Sequence, residues 1–231
     1  ISCNGFSNGS VSIQITGGTS PFLYFVNDSL LDSLYLENLS SGIYEDSIID
    51  SYGCIFSDNY YLSEPSLINL ALQPNEISCY GNCDGTILAN VSGGVGSYQY
   101  LWNNDTTKTD SILQNICIGN QNILVNDQNG CSIFDSIFID EPNPLSLSDS
   151  ILNLSSYSSD DGAIFITTSG GSSPYNYNWF GPNNFTSSNS SIFNLEYGYY
   201  FLSVFDSLNC QIEDTFFVDR PTSLNASIDT I

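Results

Sequence analysis

Apolar and polar positions alternate along this chain in short runs, as in Val11-Ser12-Ile13-Gln14-Ile15-Thr16 and Ile123-Leu124-Val125-Asn126-Asp127. A period of two places successive side chains on opposite faces of an extended segment, so such runs predict half-buried strands. Gly, Asn and Ser punctuate the runs, and no segment sustains the 3.6-residue period of a helix. In the middle third of the chain the pattern predicts strands at 67–72, 86–92, 98–102, 111–113, 122–125 and 132–140. Six or seven short strands per unit predict an all-β chain of tandem immunoglobulin-like β-sandwich modules.

The pattern is itself repeated. GGTSPFLYFV at 17–26 returns as GGVGSYQYLW at 93–102 and GGSSPYNYNW at 170–179. Asp50-Ser51-Tyr52-Gly53-Cys54 returns as Asp127-Gln128-Asn129-Gly130-Cys131 and Asp206-Ser207-Leu208-Asn209-Cys210, and Glu64-Pro65 as Glu141-Pro142 and, altered, Arg220-Pro221. A fixed step of this kind marks one structural unit copied in tandem. The expected modules are 1–65, 66–142 and 143–221, with 222–231 as the first strand of a further module. The first module then lacks its own opening strand, while Leu224, Ala226 and Ile228 alternate as a surplus strand of the matching kind. Two readings follow: a window on one continuous tandem chain, or subunits that donate this strand to a neighbour. Either makes the chain its own head-to-tail partner.

Tyr24, Tyr100 and Tyr177, with Trp102 and Trp179, recur at alternate positions and read as sandwich core in preference to a sugar platform. Gly42-Ile43-Tyr44 and Gly198-Tyr199-Tyr200 have the form of a tyrosine corner, with Gln121 in the middle copy.

Composition narrows the functions. Two basic residues, Lys108 and Arg220, stand against 25 acidic ones, with no histidine and a net charge of -23. Phosphate recognition needs a cationic surface, so nucleic acid is excluded as a partner, as is docking on anionic membranes through a basic patch. No apolar run approaches 18 residues, so direct membrane insertion is not expected. The usual general bases and nucleophile activators are missing, so no enzymatic activity and no cofactor are expected. Calcium is the best metal candidate, at Asp160-Asp161-Gly162 or at Asn82 with Asp84, although no EF-hand spacing is present. The chain opens near a repeat landmark and stops in mid-pattern, and reads as a piece of something longer.

Seven cysteines stand at 3, 54, 79, 83, 117, 131 and 210. Equivalent addresses in the first two units pair Cys3 with Cys54 and Cys79 with Cys131. Cys83 and Cys117 have no counterparts elsewhere and pair with each other. Ser155 stands where a partner of Cys210 is expected, leaving Cys210 unpaired. Disulfides place the chain in an oxidising, extracellular setting.

Assembled, the unit reads S-C-x-G-x-x-(N/D)-G, G-G-x-x-x-(Y/F)-x-Y, L-x-x-G-x-Y, D-x-x-G-C and E-P. This resembles the SprB-type repeat of large secreted and gliding-motility adhesins of Bacteroidetes. The match runs in the first unit through Ser2-Cys3-Asn4-Gly5, Asn8-Gly9, Gly17-Gly18, Pro21, Tyr24, Leu39, Gly42, Tyr44, Asp50, Gly53-Cys54 and Glu64-Pro65. The resemblance implies export by a type IX-like route, strings of immunoglobulin-like modules on the cell surface, and no catalysis.

Asp followed by Ser or Thr and then an aliphatic residue or Thr occurs at Ser29, Ser33, Ser47, Thr106, Ser111, Ser136, Ser150, Ser207 and Thr230. Composition alone supplies ~1–2 such triplets. The triplet resembles the O-glycosylation signal of exported Bacteroidetes proteins, which implies covalent glycans at these nine positions. The expected function is a structural segment of an extracellular bacterial surface fibre or adhesin stalk, O-glycosylated and filament-forming. The alternative is a carbohydrate- or calcium-binding cell-surface adhesion module.

Overall fold

The computed structural model describes residues 1–224. Ala226, Ile228 and Thr230 lie outside the described residues. The first repeat forms β1 (Gly9–Ser12), β2 (Leu23–Val26), β3 (Ser29–Leu31), β4 (Tyr35–Leu39), β5 (Gly42–Ile49) and β6 (Ile55–Leu62). The second forms β7 (Asn69–Asn75), β8 (Gly85–Ser92), β9 (Gln99–Trp102), β10 (Ile112–Ile116), β11 (Gly119–Asn126) and β12 (Ser132–Ile139). The third forms β13 (Ser146–Leu152), β14 (Gly162–Ser169), β15 (Asn176–Phe180), a 3-10 turn at Pro182–Asn184, β16 (Thr186–Ser187), β17 (Ser191–Leu195), β18 (Gly198–Phe205) and β19 (Gln211–Val218).

Each repeat carries two sheets. Their orders are β1-β4 and β3-β2-β5-β6 in the first, β10-β8-β7 and β12-β11-β9 in the second, and β13-β14-β17 and β16-β15-β18-β19 in the third. This is the tandem immunoglobulin-like sandwich architecture that the alternating pattern predicts. The chain packs as two compact units. One holds Ile1–Pro74, Ile87–Leu113 and Asn120–Phe138, and the other Asn75–Thr86, Gln114–Gly119 and Ile139–Ile231.

In the core of the third repeat Trp179, Tyr200, Leu202, Val204 and Val218 are almost wholly buried. The Trp179 ring meets Phe216 at 5.6 Å between centroids, and its Nε1 donates to Asn189 O at 2.9 Å. An indole needs such an acceptor when buried, because an unpaired N–H forfeits its hydration. Trp102 repeats the arrangement in the second repeat, donating to Asp110 O at 2.9 Å. Tyr200 Oη donates to Glu196 O and Tyr44 Oη to Ser40 O, four residues back in each case, so both tyrosine corners form. Gln121 accepts instead from the Asn103 amide.

The first repeat is built more thinly. Strand register sets Trp102 opposite Ile123 and Trp179 opposite Leu202, but sets Val26 opposite Asp46. Its buried core reduces to Tyr24, Val26 and Ile48. Tyr24 Oη, Tyr60 Oη and Asp46 Oδ1 are buried without a hydrogen-bond partner among the described residues. Burial, then the facing Asp58, raises the Asp46 carboxyl above its ordinary pKa. β14 is flanked by β13 and β17, whereas β1 pairs with β4 alone among the described strands. The sheet equivalent to β13-β14-β17 is therefore one strand short.

Trp179→Ala removes a wholly buried indole and should lower unfolding stability by about 3–5 kcal/mol, read from the denaturant midpoint at unchanged slope.

Candidate functional site: the joints between repeats

The three D-x-x-G-C turns share one geometry. Asp127 Oδ1 accepts from Asn129 N and Cys131 N, and Oδ2 from Val95 N in the doubled-glycine turn, all at 2.9 Å. Asp206 does the same with Leu208 N, Cys210 N and Ser172 N. Asp50 does so with Tyr52 N, Cys54 N and Thr19 N. One carboxylate thus ties two loops together and fixes the backbone that presents the cysteine. The fourth residue of each turn lies in the left-handed region, Gly53 and Gly130 at φ 81° and Asn209 at φ 65°. Asn tolerates that conformation through its short polar side chain, so the turn survives the loss of glycine in the third repeat.

Burial works to raise the pKa of Asp127 and Asp206, but the backbone N–H donors outweigh it and hold both carboxyls below the ordinary value of 3.8. For Asp50 the N–H of Cys54 is the leading cause of the same downward shift.

The S-C-x-G turn is held by a different clasp, at the E-P landmark. Gly5 N donates to the Glu64 carboxylate at 2.6 Å and the Asn4 amide to Pro65 O at 3.1 Å. Gly81 N donates to Glu141 in the same way at 2.8 Å. Cys3 is therefore anchored just beyond β6, while Cys54 stands just before it. An eight-residue strand spans about 26 Å, far beyond the ~7 Å limit between the Cα atoms of a disulfide.

This corrects the expected cysteine map. Cys3 is bonded to Cys131, Cα–Cα 5.7 Å, and Cys79 to Cys210, Cα–Cα 5.6 Å. Cys83 is bonded to Cys117. The unpaired cysteine is Cys54, exposed, and not Cys210. The rule behind the map is that the S-C-x-G cysteine of one repeat joins the D-x-x-G-C cysteine of the next. The counterpart of Cys3 and Cys79 in the third repeat also shifts by one. Phe6 N donates to Cys3 O, Asn82 N to Cys79 O and Ser159 N to Ser156 O, so Ser156 and not Ser155 holds the cysteine address. Ser155 corresponds to Ser78, each donating its N–H to the aspartate six residues on.

Each of the two disulfides between repeats sits in a built joint. At the first, Asn129 Nδ2 donates to Ser2 O at 2.9 Å, and Cys131 Sγ lies 3.3 Å from the same oxygen. A cleft of about 390 Å³ beside the bond is lined by Cys3, Phe6, Pro65, Ile68, Gly94 and Cys131. At the second, Cys210 Sγ lies 3.3 Å from Ser78 O, beside a cleft of about 410 Å³.

The segment following E-P crosses the doubled glycines. Gly94 N donates to Ser66 O at 2.9 Å and Gly171 N to Asn143 O at 2.8 Å. A Cβ on Gly93 would overlap the Leu67 carbonyl, and one on Gly170 the Pro144 carbonyl. A Cβ on Gly94 or Gly171 would come within 2.7–2.8 Å of the Ile68 or Leu145 side chain. Left-handed φ and the close crossing together account for the glycine pair.

The other predicted residues are dispersed. Ser29, Ser33, Thr106, Ser136, Ser150 and Ser207 are exposed, and Ser47 and Ser111 half-buried. Ser33 Oγ is engaged in a local turn with the backbone of Tyr35. The calcium candidates spend their carboxylates on the chain itself: Asp84 caps Ser78, and Asp161 caps Ser155, which holds it down to about 2. Among the described residues no group of three or more potential ligands converges on a metal site.

Stability supplied by Asp50, Asp127 and Asp206 is complete above the unfolded carboxylate pKa and is lost as pH falls through their depressed folded values. The denaturant midpoint should therefore drop steeply below about pH 4, and Asp206→Asn should flatten that drop while lowering the neutral plateau.

The family model described as "SprB repeat" matches residues 1–30 and 71–107. Among curated proteins none matches this sequence. Among solved structures, the four N-terminal Ig domains of Dscam1 isoform 9.44 cover 94% of this chain at 10% identity and TM-score 0.32, with 73% of that chain covered. The eight-Ig-domain structure of Down Syndrome Cell Adhesion Molecule isoform 1.30.30 covers 93% at 10% identity and TM-score 0.29, with 39% of that chain covered. At these scores the likeness adds nothing to the strand topology already described. The matched segments hold the Cys3 and Cys79 turns and both glycine pairs at 17–18 and 93–94, so the chain is similar to the SprB repeat over these two stretches.

Proposed function

We propose that this chain is a load-bearing structural segment of an extracellular bacterial surface fibre or adhesin stalk, O-glycosylated and filament-forming, without catalytic activity. The observation that carries the reading is the covalent lock between successive repeats. Cys3–Cys131 and Cys79–Cys210 span 128 and 131 residues and overlap in sequence, so neither repeat boundary can open without breaking a bond. In the loop-entropy account each closure stabilises by about 4–5 kcal/mol, and structural disulfides of this kind persist outside the cell.

The overlap has a mechanical consequence. A pull on the two ends of the unfolded, oxidised chain is borne only by residues 1–3, 117–131, 79–83 and 210–231, linked through the three disulfides. Everything else is held in closed loops. Such wiring limits the extension of a fibre under load, a property with no use in a ligand-binding pocket or an enzyme.

The acidic surface and the glycans keep such fibres apart. Six of the nine Asp-Ser/Thr positions are exposed and accessible to modification after folding.

Single-molecule stretching tests the mechanical reading. Full unfolding of the reduced chain should give a contour length about fivefold that of the oxidised chain, at ~3.5 Å per residue; equal lengths would reject the lock. Glycopeptide analysis of protein from its native source should find glycan at Ser29, Ser136 and Ser207, and bare peptides at all three would remove glycosylation from the proposal.

A further inference from the structure

The outer face of the four-stranded sheet in the third repeat is aromatic, although it points away from the sandwich core. Strand register sets Tyr199 opposite Phe217 in one row, and Phe180, Phe201 and Thr215 abreast in the next. Their chain neighbours Trp179, Tyr200, Leu202 and Phe216 are buried, so the pleat turns this set outward. Phe180, Tyr199 and Phe201 are 58%, 59% and 53% exposed. The Tyr199 and Phe217 rings stand 4.7 Å apart between centroids, and Tyr197 extends the run by packing edge-on against Phe217 at 5.3 Å. The following row on the same face is polar. Asn178, Ser203 and Glu213 lie abreast there, and Ser203 Oγ and Gln211 Nε2 both donate to Glu213 Oε1, at 3.0 and 2.6 Å.

The fold does not require these rings. Aligned on Trp102 with Trp179 and on Gly119 with Gly198, the second repeat has Asn103, Asn120 and Asn122 where the third has Phe180, Tyr199 and Phe201. The first repeat has Asn27, Ile43 and Glu45 at these places. Nor does a place in the tandem cover the face. The second repeat lies between two others in the chain, and its Asn120, Asn122 and Phe138, which correspond to Tyr199, Phe201 and Phe217, are all exposed. An exposed aromatic patch with a polar border, present in one copy and absent from its siblings, is the mark of a binding surface.

We propose that the outer face of β15, β18 and β19 is a platform for a neutral polysaccharide, with Phe180, Tyr199 and Phe201 stacking on pyranose rings and Asn178, Ser203 and Glu213 exchanging hydrogen bonds with their hydroxyls. The occupant follows from the face itself. Rings beside amide, hydroxyl and carboxylate groups call for a ligand that is apolar on its faces and hydroxylated on its rim, as a pyranose is. The electron-rich face of an aromatic ring attracts the weakly positive C–H bonds of the sugar. Charge narrows the choice further: at a net charge of -23 the chain repels acidic polymers and a second copy of itself alike, and an uncharged polymer meets no such barrier. The inference goes beyond the stalk reading and stands whether or not the chain forms filaments.

Affinity electrophoresis of the full chain through native gels containing hydroxyethyl cellulose, laminarin, galactomannan or polygalacturonate tests the platform. At least one of the neutral polymers should retard the chain, and the anionic polygalacturonate should not. Tyr199→Asn combined with Phe201→Asn installs the residues that the second repeat carries at these places, and should weaken binding at least tenfold at an unchanged denaturant midpoint. Phe180→Ala should act in the same direction from the neighbouring strand. Phe138→Ala, at an exposed aromatic of the second repeat, should leave binding as it was. Failure of every neutral polymer to retard the chain, equal retardation by polygalacturonate, undiminished binding in both platform variants, or an equal loss in Phe138→Ala would overturn the proposal. So would a dimer of the unliganded chain in sedimentation that the double Asn variant abolishes, since the face would then belong to a second copy.

Discussion

The carboxylates of Asp50, Asp127 and Asp206 are the small interaction on which this molecule depends. Each accepts three backbone N–H donors from two loops that would otherwise be independent, and each thereby orients the cysteine four residues on. A charged acceptor makes stronger bonds than a neutral one, and a buried carboxylate left unpaired is costly, so the two loops are held as one body. Glu64 and Glu141 perform the complementary task beyond β6 and β12, clasping the turn that carries the other half of each joint. In the third repeat Arg220 stands in that place, and its guanidinium lies over the Tyr157 and Tyr197 rings at 4.1 and 4.4 Å.

Cysteine placement then converts three similar sandwiches into one covalently limited array. Bonding within a repeat would staple each module and leave the linkers to carry tension. Bonding between repeats protects the linkers, and the overlap of the two long loops makes the protection continuous through the middle repeat. The additional Cys83–Cys117 bond belongs to the repeat that is engaged by a neighbour on each side in sequence. Strength in this arrangement is a property of connectivity more than of any single core, which agrees with the modest core of the first repeat.

The three copies are not equivalent. Val26 and Asp46 replace the tryptophan–aliphatic pair of the other repeats, Cys54 has no partner, Ser156 offers no thiol, and Leu224 projects from the end of the described chain. Each departure would count as decay in an isolated domain.

Strand positions, the tandem architecture and the aromatic core were all determined by local alternation and by residue types, because side-chain period and buried volume are properties of neighbouring residues. The partners of Cys3, Cys79 and Cys210 were not. Equal spacing of Cys3–Cys54 and Cys79–Cys131 is as compatible with bonding across a boundary as within it, since a repeat preserves every offset between copies. Only the tertiary structure decides, because β6 carries Cys54 a full strand length from Cys3, and the turn of the next repeat brings Cys131 to it. The one-residue shift from Ser155 to Ser156 was likewise hidden until the backbone hydrogen bonds aligned the turns. Sequence by itself determined what each repeat is made of; the length of a strand determined which repeats are bound to which.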